Sequence, residues 1–308
     1  MSLLRVACVV GPTASGKSDV AELVALTLDG EIVSVDSMQV YRGMDIGTAK
    51  IPLSQRRVPL HMVDVVNLGD SYSVAQFQKD ARSCVEDVAR CNHVPILCGG
   101  TGLYLDAIID ELKFPVGEVE GDRRRSYEDL AQEIGAESLH ALLESRDPKS
   151  ARLIHAHNVR RVIRALELCD EGKSYAQRNE GLKRHLPHYE ACIWALTLPR
   201  EDLYARIDSR VDAMFAAGLV EEVRSLDSQG IRESVTASQA IGYKEVLGLL
   251  DGTYDEEEAI RLVKRNTRRY AKRQLSWIRR DGRARELDVS AIGLEGAART
   301  IAKEWIGG

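Results

Sequence analysis

The sequence lacks a hydrophobic run that could cross a bilayer, which takes about 20 apolar residues. Its first apolar stretch, residues 3–10, is short and leads directly into a glycine-rich loop, so we predict neither a membrane protein nor a signal peptide. The six cysteines are scattered and form no C-x-x-C pair, which argues against a zinc or redox motif. Reduced thiols in a cytoplasmic protein are the simpler interpretation.

The chain also lacks an excess of positive charge. Its 308 residues carry a net charge of −5, with 44% hydrophobic and 29% charged residues, which is typical of an ordinary globular protein. Basic residues are nevertheless concentrated in three groups, which are Arg123–Arg125, then Arg160, Arg161 and Arg164, and finally the segment 261–285. Such local basic faces can follow a phosphate backbone, whereas solvated helix faces are the alternative.

The apolar pattern predicts an α/β fold with a largely parallel sheet. Short apolar runs at residues 3–10, 31–35 and 94–98 read as buried strands and alternate with helical stretches, the clearest at 73–91. This alternation is typical of parallel α/β proteins. Another strand is expected at residues 193–198.

Between these strands lies a segment with helical periodicity and no convincing strand. Helices are predicted at residues 122–134, 136–145 and 158–171. We therefore expect a catalytic core made of residues 1–114 and 190–308, interrupted by a helical insertion domain at residues 115–189. In the second part of the core, long helices are predicted at residues 201–226 and 255–280.

The stretch GPTASGKS after the first strand matches G-x-x-x-x-G-K-[ST] at every fixed position. A strand precedes it and a helix follows, as this phosphate-binding loop requires. Backbone N–H groups of the loop and of the helix N-terminus would face a pyrophosphate. Lys17 would add a positive charge, and the Ser18 hydroxyl could hold Mg²⁺. The predicted diphosphate-binding residues are Gly11, Pro12, Thr13, Ala14, Ser15, Gly16, Lys17 and Ser18.

The acidic residue that would complete a nucleotide-hydrolysing site is missing from the strand at 94–98. That strand ends in Gly99-Gly100-Thr101-Gly102, whereas Asp36 follows the strand at 31–35. A nucleoside triphosphatase needs a strand-end carboxylate to organise Mg²⁺ and water. Asp36 could hold a metal or accept a proton from a nucleophile, and a helix N-cap is the structural alternative.

Several further motifs resemble those of one known family when they are taken in order with the glycine loop. They are Val35–Tyr41, Gly43–Lys50, Gly99–Tyr104, Arg164–Glu167, Gly242-Tyr243 and Thr267–Leu275. Together they resemble the bacterial tRNA dimethylallyltransferase family over nearly the whole chain. That family prenylates N6 of adenosine 37 beside the anticodon and has a P-loop-type core.

The resemblance implies that the phosphates are a leaving group, because the glycine loop would hold the pyrophosphate of dimethylallyl diphosphate. It implies that Asp36 is the base and that Thr101 contacts the target nucleotide or its phosphate. It also implies that Arg210 grips the diphosphate, with Arg206 kept as an alternative. The expected cofactor is Mg²⁺, and the expected partner is the anticodon stem-loop of tRNA. A monomer is expected.

The resemblance and the basic groups together predict a set of tRNA contacts in both domains. The predicted residues are Asp36, Ser37, Met38, Gln39, Thr101, Arg124, Arg160, Arg161, Arg164, Gln239, Gly242, Tyr243, Lys244, Arg268, Lys272 and Arg273. Three alternative functions share the glycine loop. They are an adenylate dimethylallyltransferase, a P-loop small-molecule kinase, and an RNA-binding protein that uses a nucleotide only as a switch.

Overall fold

The structure is a computed structural model and describes residues 3–114, 122–181 and 185–307. The chain forms two compact units. The first comprises Met1–Asp110 and Pro187–Gly308, and the second comprises Glu111–Leu186. Among the residues that the structure describes, no helix combines the length and the apolarity needed to span a membrane.

The first unit is built on a six-stranded sheet in the order β3-β2-β4-β1-β5-β6. Each pair of neighbouring strands runs parallel. The strands are β1 (Arg5–Val10), β2 (Gly30–Val35), β3 (Leu60–His61), β4 (Val94–Gly99), β5 (Glu190–Thr197) and β6 (Arg285–Asp288). The predicted α/β class with a parallel sheet is therefore confirmed.

Strand β1 lies in the middle of the sheet and explains why its sequence is apolar without alternation. Val6, Cys8 and Val10 face one core cluster, while Ala7 and Val9 face the other. Both faces of a parallel sheet are covered, so every residue of a central strand is buried and a continuous apolar run results.

Helices cover both faces of the sheet. The helices α1 (Lys17–Leu28) and α12 (Val289–Gly307) contribute to the cluster with Ala7 and Val9. The opposite face is covered by α2 (Val74–Arg90), α3 (Gly102–Ile109), α9 (Leu219–Ser228) and α10 (Tyr243–Leu250). Two longer helices, α8 (Arg200–Ala216) and α11 (Glu256–Arg280), pack on each other through a smaller apolar cluster that includes Ile207 and Val263.

The second unit has its own small core among four helices. They are α4 (Asp122–Arg146), α5 (Pro148–Leu153), α6 (Val159–Asp170) and α7 (Tyr175–Gly181). Leu139 and Leu143 of α4 pack against Val162 and Leu166 of α6, and all four are fully buried. Gly135 interrupts α4 with a φ of 80°, which agrees with the two helices predicted on either side of it.

The predicted helix at residues 201–226 is wrong as a single element. Gly218 adopts a φ of 97° and separates α8 from α9, because a left-handed residue cannot continue a right-handed helix. The strands β3 and β6 and the helix α12 were not predicted. Each of these two strands is at most four residues long, which is too short for an alternating pattern to be recognised in the sequence.

Candidate active site

Three loops meet at one edge of the sheet, where the adjacent strands β2, β4 and β1 end. They begin at Asp36, Gly100 and Gly11. The carboxyl ends of parallel strands lie at the same edge, and α/β proteins bind their ligands there. The predicted phosphate loop and the predicted base are therefore brought together by the sheet order.

The phosphate loop adopts the turn that its sequence predicts. Ala14 and Gly16 have φ values of 65° and 87°, in the left-handed region that glycine adopts without strain. A Cβ at Gly16 would also lie 2.6 Å from the Leu294 side chain. Helix α1 then begins at Lys17, so its free N–H groups point towards the loop, as an anion site requires.

A pocket joins this loop to Asp36 and to the second part of the unit. It encloses about 710 Å³ of empty space, including its opening to solvent. Two cations, Lys17 and Arg210, line the same pocket as Asp36. Its other lining residues are Thr13, Ser18, Ile32, Ser34, Gln39, Thr48, Ala49, Ile51, Leu60, Cys98, Gly99, Tyr270 and Gln274.

Burial lowers the pKa of both cations in the pocket. Burial lowers the pKa of Lys17, and the nearby Arg210 lowers it further, against the opposing charge of Asp36. Burial likewise lowers the pKa of Arg210, while Asp19 and Asp36 raise it. A bound diphosphate would relieve this repulsion. Arg206 is exposed and does not line the pocket, so of the two predicted arginines the pocket contains Arg210.

The carboxylate of Asp36 is oriented by its own loop. Its Oδ1 accepts hydrogen bonds from the backbone N–H groups of Met38, at 2.8 Å, and Gln39, at 3.4 Å. The alternative that Asp36 caps a helix is wrong, because residues 37–40 form turns and no helix begins there. The Gln39 side chain bonds Ser34 and the backbone of Thr48, so it braces the pocket wall.

Thr101 contacts the loop that begins at Asp36, and Tyr270 lines the same pocket as Asp36. The Thr101 hydroxyl oxygen accepts a hydrogen bond from the Ser37 backbone N–H at 3.3 Å. Burial raises the pKa of Tyr270 to about 12, and the charge of Asp36 raises it too, while contacts with Thr101 and Gln274 oppose the shift. Tyr270 therefore presents a protonated hydroxyl. Sequence reasoning placed it within a motif but assigned it no role.

Glu222 is a second residue that sequence reasoning missed. Its carboxylate accepts hydrogen bonds from the backbone N–H groups of Ile46, at 2.7 Å, and Asp45 and Gly47, at 3.2 and 3.3 Å. It also accepts one from the Tyr243 hydroxyl at 2.6 Å. Glu222 thereby holds the loop that supplies Thr48 and Ala49 to the pocket.

We expect Glu222→Gln to lower the free energy of unfolding by about 1.5–3 kcal/mol, since hydrogen bonds to a charged acceptor are worth about that much. Urea unfolding measures the change. The neighbouring Glu221→Gln serves as control, because Glu221 is exposed and makes only a 3.8 Å ion pair with Arg224. Equal stabilities for the two variants would contradict this role of Glu222.

The residues predicted to contact RNA differ in their exposure in the first unit. Lys272 and Arg273 are exposed on α11. Arg268 is instead half-buried, because its guanidinium forms a paired ion contact with Asp208. Of the segment 239–244, Gln239 and Lys244 are exposed and line an open groove with Arg265.

Gly242 and Tyr243 are buried and do not lie on that surface. Tyr243 is 0% exposed, and its hydroxyl is occupied by Glu222. The backbone N–H of Gly242 donates to Glu245 at 2.8 Å. The structure thus places these two residues in the core, where neither is accessible to solvent.

In the second unit, two of the predicted RNA contacts flank one buried carboxylate, and the other two are exposed. Arg160 and Arg161 are exposed on α6. Arg164 donates to Glu167 at 2.9 Å, and Arg124 lies 4.0 Å from the same carboxylate. Glu167 is only 7% exposed, so its charge holds Arg124 and Arg164 in place.

The pocket also offers a donor set that fits Mg²⁺. The Ser18 hydroxyl and the Asp36 carboxylate are hard oxygen donors that line it together. Mg²⁺ is commonly held by one or two carboxylates together with substrate phosphates. A single acidic side chain among hydroxyls therefore suits a metal that arrives with a diphosphate.

Comparison with known proteins assigns this arrangement to a family. The sequence profile of the IPP transferase family matches residues 39–281. This chain belongs to the IPP transferase family. The predicted resemblance and the predicted enzyme class, a transferase, are therefore confirmed.

Relatives within the IPP transferase family are similar over almost their whole length. The tRNA dimethylallyltransferase of Geobacillus kaustophilus is 45% identical over 291 residues, covering 94% of this chain and 92% of that one. The crystal structure of the tRNA delta(2)-isopentenylpyrophosphate transferase from Staphylococcus epidermidis matches with a TM-score of 0.73 at 35% identity, over 99% of both chains. A eukaryotic dimethylallyltransferase acting on tRNA matches with a TM-score of 0.79 at 28% identity, over 99% of this chain and 80% of that chain.

Proposed function

We propose that this IPP transferase moves a dimethylallyl group from dimethylallyl diphosphate to N6 of adenosine 37 in the anticodon loop of tRNA, and releases pyrophosphate. The names of its relatives support this reaction. The observation that carries the proposal is that Lys17, Arg210 and Asp36 line one pocket at the mouth of the phosphate loop. Two cations beside a carboxylate suit an anionic leaving group and a nucleophile that must lose a proton.

The leaving group is stabilised by the loop and the two cations. When the allylic C–O bond breaks, its electron pair moves onto the pyrophosphate. Loop N–H groups, Lys17 and Arg210 would face the oxygens on which this charge develops, and such preorganised donors lower a barrier strongly. Mg²⁺, when held by Ser18 and the phosphate oxygens, would neutralise part of the same charge.

The acceptor needs the carboxylate. N6 of adenine is a weak nucleophile, because its lone pair is delocalised into the ring. As N6 bonds to the allylic carbon, the free Oδ of Asp36 would take the N6 proton, while Oδ1 remains bonded to its loop. Tyr270 and Thr101 lie beside this carboxylate and would border the position of the base.

The target adenine is stacked in a free anticodon loop, so it must be extruded to reach this pocket. Proteins read such loops through phosphate contacts and unstacked bases. We assign the phosphate contacts to the exposed cations Lys244, Lys272 and Arg273 of the core and to Arg160 and Arg161 of the insertion domain, residues 115–189. The chain would act as a monomer in the cytoplasm, where its RNA substrate is found.

One incubation tests the reaction. Radiolabelled dimethylallyl diphosphate and Mg²⁺ are offered separately to an anticodon stem-loop with adenosine at 37, to the same loop with guanosine there, and to free AMP. We expect label only in the adenosine loop. Label in AMP would establish an adenylate dimethylallyltransferase instead. Consumption of [γ-³²P]ATP with no labelled acceptor would indicate a kinase or a nucleotide switch.

The exposure of α11 predicts which of its cations RNA can reach. Lys272→Ala and Arg273→Ala should each reduce the slope of log Kd against log salt by about one, since one fewer counterion is released. Arg268→Ala should change the slope less, because Asp208 already neutralises that guanidinium. Filter binding of the stem-loop across a salt series measures all three slopes.

Arg299→Ala is the matched control, because Arg299 is an exposed arginine on α12 with an i,i+4 acidic partner. It should leave the slope unchanged. Unchanged slopes for Lys272→Ala and Arg273→Ala as well would indicate that α11 is an ordinary solvated helix face that does not contact RNA.

A further inference from the structure

Gln274 connects two loops of the candidate site through one buried amide. It lies in α11 and is only 5% exposed. Its Oε1 accepts a hydrogen bond from the backbone N–H of Thr13 at 2.8 Å, and its side-chain nitrogen donates to the backbone carbonyl of Gly100 at 3.0 Å. Thr13 belongs to the phosphate loop, and Gly100 belongs to the loop after β4. These two partners are main-chain groups, so the amide constrains the path of each loop. The Gln274 side chain also contacts the side chain of Tyr270.

The Gln274 amide can approach the backbone at residue 100 this closely only because that residue is glycine. A Cβ at Gly100 would overlap the side-chain nitrogen of Gln274 and lie 3.0 Å from the backbone oxygen of Gly11. The second glycine of the Gly99–Gly102 motif thus makes room for Gln274. Bonded on both sides, the amide has one orientation, with its oxygen towards the phosphate loop.

The same helix carries exposed cations next to Gln274. Lys272 and Arg273 immediately precede Gln274 and are exposed, while Tyr270, one turn earlier, lines the pocket beside Asp36. Within a single turn, helix α11 therefore exposes the charges of Lys272 and Arg273 to solvent. In the same turn, the Gln274 amide bonds the phosphate loop. A small movement of this helix would move the Thr13 N–H with it.

We propose that Gln274 is a positioning residue that couples the docking of RNA on α11 to the geometry of the diphosphate loop. The inference rests on the proposed function, because it takes tRNA as the molecule that meets Lys272 and Arg273. Gln274 lines the pocket, and its proposed role is to fix the backbone of Thr13 and Gly100. Coupling of this kind is reciprocal, so pyrophosphate in the loop strengthens RNA binding by the factor with which RNA strengthens pyrophosphate binding.

The test is Gln274→Met in the full chain, which keeps the length of the side chain and removes both hydrogen bonds. Calorimetry with pyrophosphate and Mg²⁺, without RNA, should show binding weakened by about tenfold to a hundredfold, since a buried N–H and C=O lose their partner. Stem-loop affinity without pyrophosphate should stay unchanged. The factor by which pyrophosphate strengthens stem-loop binding should exceed one in the unsubstituted protein and fall towards one in the variant.

Leu275→Met is the control, because Leu275 is the next residue of α11 and packs on the α8 cluster instead. It should keep both affinities and the coupling factor. Thermal unfolding checks that both variants fold. Should Gln274→Met unfold, Gly100→Ala displaces the same amide from the other side, and it should weaken pyrophosphate binding in the same way.

Where both single variants fold, the double variant should lose less pyrophosphate affinity than the sum of the two single losses, because each substitution breaks the same hydrogen bonds. Unchanged pyrophosphate affinity in Gln274→Met, or a coupling factor equal to that of the unsubstituted protein, would overturn the inference. The unsubstituted protein is assayed alongside for transfer of label to the adenosine stem-loop. If the unsubstituted protein does not label the stem-loop, the proposed function is refuted. If it labels the stem-loop normally but Gln274→Met binds pyrophosphate and couples it to RNA as the unsubstituted protein does, only the role of Gln274 is refuted.

Discussion

Asp36→Asn is expected to lower the rate of prenyl transfer by about two to four orders of magnitude, the range for loss of a general base. The asparagine oxygen can still accept from the Met38 N–H, which bonds Asp36 at 2.8 Å, so the loop should keep its path. The amide cannot take the N6 proton. Single-turnover transfer to the adenosine stem-loop measures the rate, and filter binding should show unchanged RNA affinity.

Asp87→Asn provides the matched control, because Asp87 is an exposed carboxylate on α2 paired with Arg90. It should transfer at the unsubstituted rate. If Asp36→Asn also turned over at nearly that rate, Asp36 would have no part in the proton transfer, and the base would have to be sought elsewhere in the pocket.

Lys17→Met should lower kcat/KM for dimethylallyl diphosphate by about two to three orders of magnitude, the loss found when one preorganised charge-stabilising donor is removed. Lys17 shares the pocket with Arg210 and Asp36, so its charge would face a diphosphate bound there. The effect should appear in both kcat and pyrophosphate affinity, because the charge on the phosphates is present before the bond breaks and increases as it breaks.

The lowered pKa of Lys17 gives this prediction a pH signature. Burial lowers that pKa below the ordinary lysine value of 10.5, and Arg210 adds to the shift. Lysine is cationic only below its pKa, so pyrophosphate affinity should decline with rising pH before the ordinary lysine range is reached. Calorimetry from neutral to alkaline pH measures this decline.

Lys17→Met should lack that alkaline decline, because the titrating group is gone. Lys303→Met, at an exposed lysine of α12, should retain it. A decline of the same size in Lys17→Met would assign the titration to another group and remove Lys17 from the binding of the leaving group.

The elements that sequence reasoning predicted best are those whose signals are local. The strand β1 was predicted because a central strand of a covered sheet is apolar at every position. The phosphate loop was predicted because its left-handed turn needs glycine at Gly16, and its chemistry needs Lys17 and a hydroxyl at fixed spacing. In the second unit, Gly135 marked the break in α4 for the same local reason.

Errors arose where a long-range contact decided between local possibilities. Tyr243 lies in a motif that resembles an RNA-binding segment, yet it is buried and bonded to Glu222. Arg268 belongs to a basic run, but Asp208 on α8 neutralises it. The burial of Tyr243 and the neutralisation of Arg268 each depend on a partner on another element. Such long-range pairings produce no periodic pattern in the sequence.

By itself, the sequence determined the class of fold, the glycine-rich turn before α1, the position of Asp36 at the end of β2 and the family. These features depend on the order and spacing of neighbouring residues, which motifs and periodicity record directly. Only the tertiary structure decided that Arg210 rather than Arg206 enters the pocket, that Tyr270 borders Asp36, and that Gln274 joins the phosphate loop to the loop after β4. Those decisions depend on how distant helices pack against the sheet edge, and packing is a property of the folded chain.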